Sequence, residues 1–112
     1  MLLVITVVLL FLLLPATVVG VPVSKIVITV TNTNPGEVLW GGISARGAGY
    51  HDTSLNLYPG ESQVISWTVN MGTYEITANY VLYDGTNFYQ NYQNHWTVKV
   101  SLFETETLTI NL

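Results

Sequence analysis

No charged side chain occurs between Met1 and Ser24, and from Ser24 onward apolar residues recur at every second position. These two stretches cannot belong to one kind of structure. A long uncharged run has no place on the surface of a water-soluble domain, because its apolar side chains gain free energy only when removed from water. The chain therefore reads as an apolar helix over residues 1–23 and a β-domain over residues 24–112. As a helix the first segment would span roughly 30 Å, about one hydrocarbon core. Pro15 would kink it, and Gly20 and Pro22 would end it.

Three fates fit such a segment. A secretory signal peptide needs an apolar stretch and a small-residue cleavage site, which Ala16 to Gly20 can supply, but also a basic start, which is missing. A permanent anchor fits the length, although Lys25 is then the one flanking charge and cannot decide orientation. In the third fate the segment is an assembly helix, with Leu2, Leu3, Val4, Ile5, Val8, Leu9, Phe11 and Leu12 packed against copies from other subunits. All three place the protein outside the cytoplasm, as an extracellular or cell-surface protein.

After Ser24 the period of two marks half-buried strands. Ile26, Ile28 and Val30 alternate with Val27, Thr29 and Thr31, and the segment from Asn32 to Gly36 turns the chain. Val38 to Ser44 is a second strand, with Gly41-Gly42 marking a bulge or a close backbone approach. Leu55 to Leu57 precedes the turn Tyr58-Pro59-Gly60-Glu61, after which Ile65, Trp67 and Val69 face one way. The longest strand follows Gly72, with Tyr74, Ile76, Ala78, Tyr80 and Leu82 on its apolar face. Asp84-Gly85 signals a hairpin, and Trp96 to Leu102 and Leu108 to Leu112 close the series. Six or seven strands and no helical stretch predict a mainly-β fold, an antiparallel β-sandwich of the immunoglobulin-like kind.

The run Leu57-x-Pro59-Gly60-Glu61-Ser62 followed by Gly72-x-Tyr74-x-Ile76 resembles a pattern of extracellular immunoglobulin-like and carboxypeptidase-regulatory-like modules. Asn70-x-Gly72-x-Tyr74 is similar to the tyrosine corner, in which a tyrosine hydroxyl bonds back to upstream backbone. Taken whole, an apolar N-terminal segment followed by such a domain resembles the archaeal type IV pilins and related surface filaments. Ile5 stands where many bacterial pilins carry a glutamate. In that family a basic leader is removed before assembly, which would account for the missing basic start. The resemblance implies a pilin-like structural protein: a homopolymer of this chain, held in the membrane before assembly, with apolar helices in the core and β-domains outside.

Composition narrows the alternatives. Charged residues make up 9% of the chain, against about 25% in an ordinary soluble protein. Lys25, Arg46 and Lys99 are the only basic residues and the net charge is −4, which argues against nucleic-acid binding. A surface of Thr, Asn, Gln and Tyr repels its neighbours weakly and suits assembly or surface attachment. With no cysteine, disulfides, thiolate chemistry and Cys-ligated zinc are excluded.

Chemistry-bearing residues are few, and neither a catalytic site nor a cofactor is expected. His51-Asp52, in a stretch read as a loop, and His95 have no spacing typical of a metal site. No serine sits in a Gly-x-Ser-x-Gly setting. Binding character is confined to Phe88-Tyr89-Gln90-Asn91-Tyr92-Gln93-Asn94-His95-Trp96, which repeats Tyr-Gln-Asn and ends on an aromatic. Phe88, Tyr89, Gln90, Asn91, Tyr92, Asn94 and Trp96 are the candidate contacts for a glycan or a protein surface, because aromatic faces stack on sugar rings and amides bond beside them. A hairpin with cross-strand aromatic pairs accounts for the same residues, with Trp96 turned inward. The alternative to a filament subunit is thus a secreted or membrane-anchored adhesin.

Overall fold

The computed structural model describes residues 23–88 and 91–112, and the assembly residues Leu2 to Leu12 lie outside that range. The described chain is mainly β, without a helix. Its strands are β1 (Ser24–Thr31), β2 (Val38–Arg46), β3 (Tyr50–Leu57), β4 (Ser62–Val69), β5 (Gly72–Tyr83), β6 (Tyr92–Val100) and β7 (Thr105–Asn111). They form a three-stranded sheet in the order β4-β1-β7 and a four-stranded sheet in the order β3-β2-β5-β6. Each strand reverses the direction of the one before it. β1 runs from what we term the N-terminal pole to a distal pole.

The alternation read from the sequence sets which face is buried. Ile26, Ile28 and Val30 of β1 and Tyr74, Ile76 and Ala78 of β5 are fully buried, and both sheets contribute to a single hydrophobic core. Each large side chain so buried stabilises the fold by about 1.5–3 kcal/mol relative to exposure. Trp67 and His51 stack with ring centroids 5.9 Å apart, and the Trp67 indole donates to Thr53 Oγ1 at 3.2 Å. These contacts link β3 of one sheet to β4 of the other.

Turn chemistry follows the residues. Glu61 N donates to Tyr58 O at 3.0 Å across Pro59-Gly60, where Gly60 takes φ 78°, a conformation that costs a glycine little. Asp84 Oδ1 accepts from Thr86 N and Asn87 N, which shapes the turn after β5. The expected tyrosine corner is present: Tyr74 donates from its hydroxyl to Asn70 O at 2.8 Å. Burial pushes the Tyr74 phenol above the ordinary tyrosine range, and the bond to Asn70 partly opposes it.

At the distal pole Asn32 is fully buried and saturated with hydrogen bonds. Its Nδ2 donates to Glu37 O at 2.7 Å and Leu57 O at 3.0 Å, while its Oδ1 accepts from Asn34 N at 3.0 Å and Asn34 Nδ2 at 2.9 Å. One side chain thereby ties the turn after β1 to the end of β3.

Three expectations are corrected. The sheets are not antiparallel throughout, because β1 and β7 pair in parallel from Lys25↔Thr105 to Thr31↔Asn111. The chain crosses between sheets after β6, so β7 approaches β1 from the N-terminal pole and runs alongside it. Val38 to Ser44 extends to Arg46, and His51-Asp52 lies in a strand instead of a loop. The eight-pair register of β2 with β3, from Leu39↔Leu57 to Arg46↔Tyr50, supplies the ladder that holds them there. Gly41 is the close approach anticipated: a Cβ there would collide with Asn79 O and the Tyr80 backbone of β5.

Candidate functional site

The outer face of the four-stranded sheet is assembled by register. Gly42 of β2 lies opposite Ser54 of β3 and Asn79 of β5, and Asn79 lies opposite Gln93 of β6. The next row joins Asp52, Ser44, Thr77 and His95, and the one after it Tyr50, Arg46 and Glu75. The face is thus a sheet of hydroxyls, amides and carboxylates. A Cβ on Gly42 would meet nothing closer than Thr53 O at 3.4 Å, so this glycine answers no steric need and leaves a shallow dip between its neighbours. Asn79 borders that dip and also an adjoining groove of about 610 Å³ between Trp40 and Tyr92.

An aromatic cluster stands at the distal end of this face. Trp40 and Tyr83 stack with centroids 5.2 Å apart at 17°. Phe88, 61% exposed, closes on Tyr83 at 4.6 Å and on Trp40 at 5.5 Å. Trp40 Nε1 donates to Asn56 Oδ1 at 2.8 Å, which fixes the plane of an indole that is 37% exposed. Flat rings held in place beside amide groups match the two halves of a sugar, apolar ring face and hydroxyl rim.

The stretch expected to form the contact surface is divided by strand alternation. Phe88 joins the exposed cluster, and Asn91 borders the groove. Tyr92 is half-buried and stacks on Tyr80 at 5.3 Å, Asn94 Nδ2 donates to Tyr80 Oη at 3.4 Å, and Trp96 packs against the core. Tyr89 and Gln90 lie outside the described residues. Burial raises the Tyr80 phenol above its ordinary range, the bond from Asn94 opposes that, and Tyr92 adds to it. Sequence reasoning missed Trp40, Tyr83 and Asn79. A tryptophan on the polar side of the β2 alternation was the available signal.

The histidines do not converge. His51 belongs to the inner face beside Trp67, whereas His95 projects outward, with its Nδ1 3.0 Å from Glu75 Oε1 and 3.1 Å from Thr77 Oγ1. Among the described residues no group of three or more His, Cys, Asp or Glu side chains is placed to hold a metal ion. What the geometry offers is a contact surface of flat rings and hydrogen-bonding groups. No protein family, curated protein or solved structure matches the chain.

Proposed function

We propose that this chain is a non-enzymatic structural subunit of a pilus-like extracellular filament. The uncharged N-terminal segments of many copies pack together in the core, and immunoglobulin-like β-domains face outward. The observation that carries this reading is the junction between the two parts. Ser24, the residue at which the uncharged run ends, is 1% exposed and opens β1, the central strand of its sheet. On this reading the uncharged run supplies the assembly segment and the β-domain opens directly after it. The immunoglobulin-like assignment is supported by the β3-β2-β5-β6 order and by the corner bond of Tyr74 near the start of β5. The test is to shear surface material from producing cells and examine it by electron microscopy and mass spectrometry. Long polymers of this chain are expected, and finding it solely as soluble monomer overturns the proposal.

A second reading, an adhesin for glycans or a surface protein, is favoured by the Trp40, Tyr83 and Phe88 cluster beside the amide-rich face. On that reading Trp40→Ala abolishes retention on a glycan array while leaving the fold intact. Retention equal to that of the unmodified chain removes the cluster as its site.

A further inference from the structure

We infer that the outer face of the four-stranded sheet is a track for an extended, uncharged polysaccharide, running from Trp40 past Gly42 to Tyr50. This site rests on the adhesin reading above and adds the length, the charge and the path of the ligand.

Gly42 is a glycine without a reason inside the domain. It stands in the middle of β2, and a glycine within a strand weakens it, so it marks a bulge, a bend or the close approach of another group. Gly41 fits that description internally, because a Cβ there would strike β5. Gly42 does not. It pairs in unbroken register with Ser54 and Asn79, its backbone is outside the left-handed region, and a Cβ would meet only Thr53 O at 3.4 Å. What the missing side chain leaves free is the outer face, where a ligand can reach the backbone of the sheet.

The bare backbone lies on a continuous path. Three depressions of about 610, 310 and 300 Å³ all border Asn79. Trp40 lines the first, Gly42 the second, and Tyr50 both the second and the third. An exposed aromatic ring therefore stands at either end, Trp40 in its cluster and Tyr50, which is 56% exposed. Tyr50 pairs with Arg46, six residues on from Trp40, so the two rings lie roughly 20 Å apart along strands that rise about 3.4 Å per residue. A single sugar ring cannot reach both, whereas a chain of several can stack on each. Between them Ser44, Ser54, Thr77 and Asn79 offer hydroxyl and amide groups that donate and accept, as the hydroxyls of a sugar chain require.

Charge decides which glycans fit. The groove beside Trp40 is bordered by Asn79, Asn91 and Gln93 and by no charged side chain. At the Tyr50 end Arg46, its guanidinium 5.5 Å from the Tyr50 ring centroid, is accompanied by two carboxylates, Asp52 and Glu75. His95, in the same part of the face, is 3.0 Å from Glu75. Beyond the Trp40 end, the distal pole holds Glu37, Glu61 and Asp84 and no basic residue. A uronate or sulfated chain meets more carboxylates than cations along this path and is repelled, and a neutral chain is not.

The experiment holds the full chain in a non-ionic detergent without a sugar headgroup and applies it to immobilised glycans, neutral and acidic, from disaccharides to hexasaccharides. Retention is expected on a neutral series and is expected to rise with chain length as the second ring is engaged. Tyr50→Ala is expected to weaken binding to the hexasaccharide about fivefold, the worth of one aromatic stacking contact, and to leave the disaccharide unaffected. Gly42→Val, which fills the dip, is expected to act in the same direction with the melting temperature kept. If Gly42→Val melts lower, Gly42→Ala supplies the same comparison with one added carbon. Retention that is independent of chain length, or unchanged in both Tyr50→Ala and the Gly42 variant, overturns the track while sparing the adhesin reading beneath it. A preference for acidic chains overturns the neutral ligand. No retention on any glycan overturns the glycan reading together with the track.

Discussion

Replacing Asn32 with aspartate keeps the shape of the side chain and reverses half of its chemistry. In the native domain its Nδ2 donates to Glu37 O and Leu57 O, while its Oδ1 already accepts two bonds from Asn34. Asn32→Asp presents an oxygen to two carbonyl oxygens and buries a charge that has no cation beside it. Two buried acceptors left unmatched cost about 1–3 kcal/mol each, and an uncompensated buried charge adds to that, so a loss of roughly 3–5 kcal/mol is expected at neutral pH. At about 4–8 °C per kcal/mol for a domain of this size, the melting temperature falls by well over ~10 °C. The sign of the pH dependence also follows. Burial and the facing carbonyls raise the new carboxyl above its unfolded value of about 3.9, so the deficit grows as pH rises from that value toward the folded one. Below the unfolded value both states are protonated and the carboxyl can donate one of the lost bonds. Thermal melts followed by circular dichroism at neutral pH and near pH 4 measure both effects. Equal melting temperatures at neutral pH, or a deficit that does not narrow on acidification, would refute the account of Asn32 as the pin of the distal pole.

Tyr74→Phe keeps the buried ring but removes the donor to Asn70 O, and should cost about 1–2 kcal/mol in urea unfolding, less than half the loss for Tyr74→Ala. Burial holds the Tyr74 and Tyr80 phenols above the ordinary tyrosine range, so their share of stability is intact below that range and is lost as pH rises through their folded values. An alkaline melt should show this decline, and Tyr74→Phe should reduce it. Gly41→Ala should destabilise by more than ~2 kcal/mol because its Cβ meets the β5 backbone, whereas Gly42→Ala should stay within about 0.5 kcal/mol. Similar thermal shifts for the two glycine variants would contradict the close approach at Gly41.

Much of the fold was legible because one signal, period two, was written in β1, β4 and β5, where apolar residues fill every inner position. It failed at β3, where His51 and Thr53 take inner positions and the apolar count falls below notice. What holds that segment in the sheet is its pairing with β2, a long-range fact that local pattern does not carry. The parallel partnership of β7 with β1 was illegible for the same reason, since it joins residues about eighty positions apart. At the candidate site, composition pointed to Phe88 through Trp96, but only register reveals which rings face outward. Phe88 finds its partners in Trp40 and Tyr83, while Tyr92 and Trp96 are drawn toward the core.

The parallel pairing of β1 with β7 has a mechanical side. Because seven strands alternate in direction, the chain comes in at one pole and Leu112 lies at the other. A pull on the segment before Val23, opposed at Leu112, drags β1 and β7 past each other along their length. The seven registered pairs from Lys25↔Thr105 to Thr31↔Asn111 are then loaded in shear, all together, instead of being peeled apart one at a time. Tension along the long axis of the domain thus falls on its most resistant direction, whereas a sideways pull on β7 would unzip it.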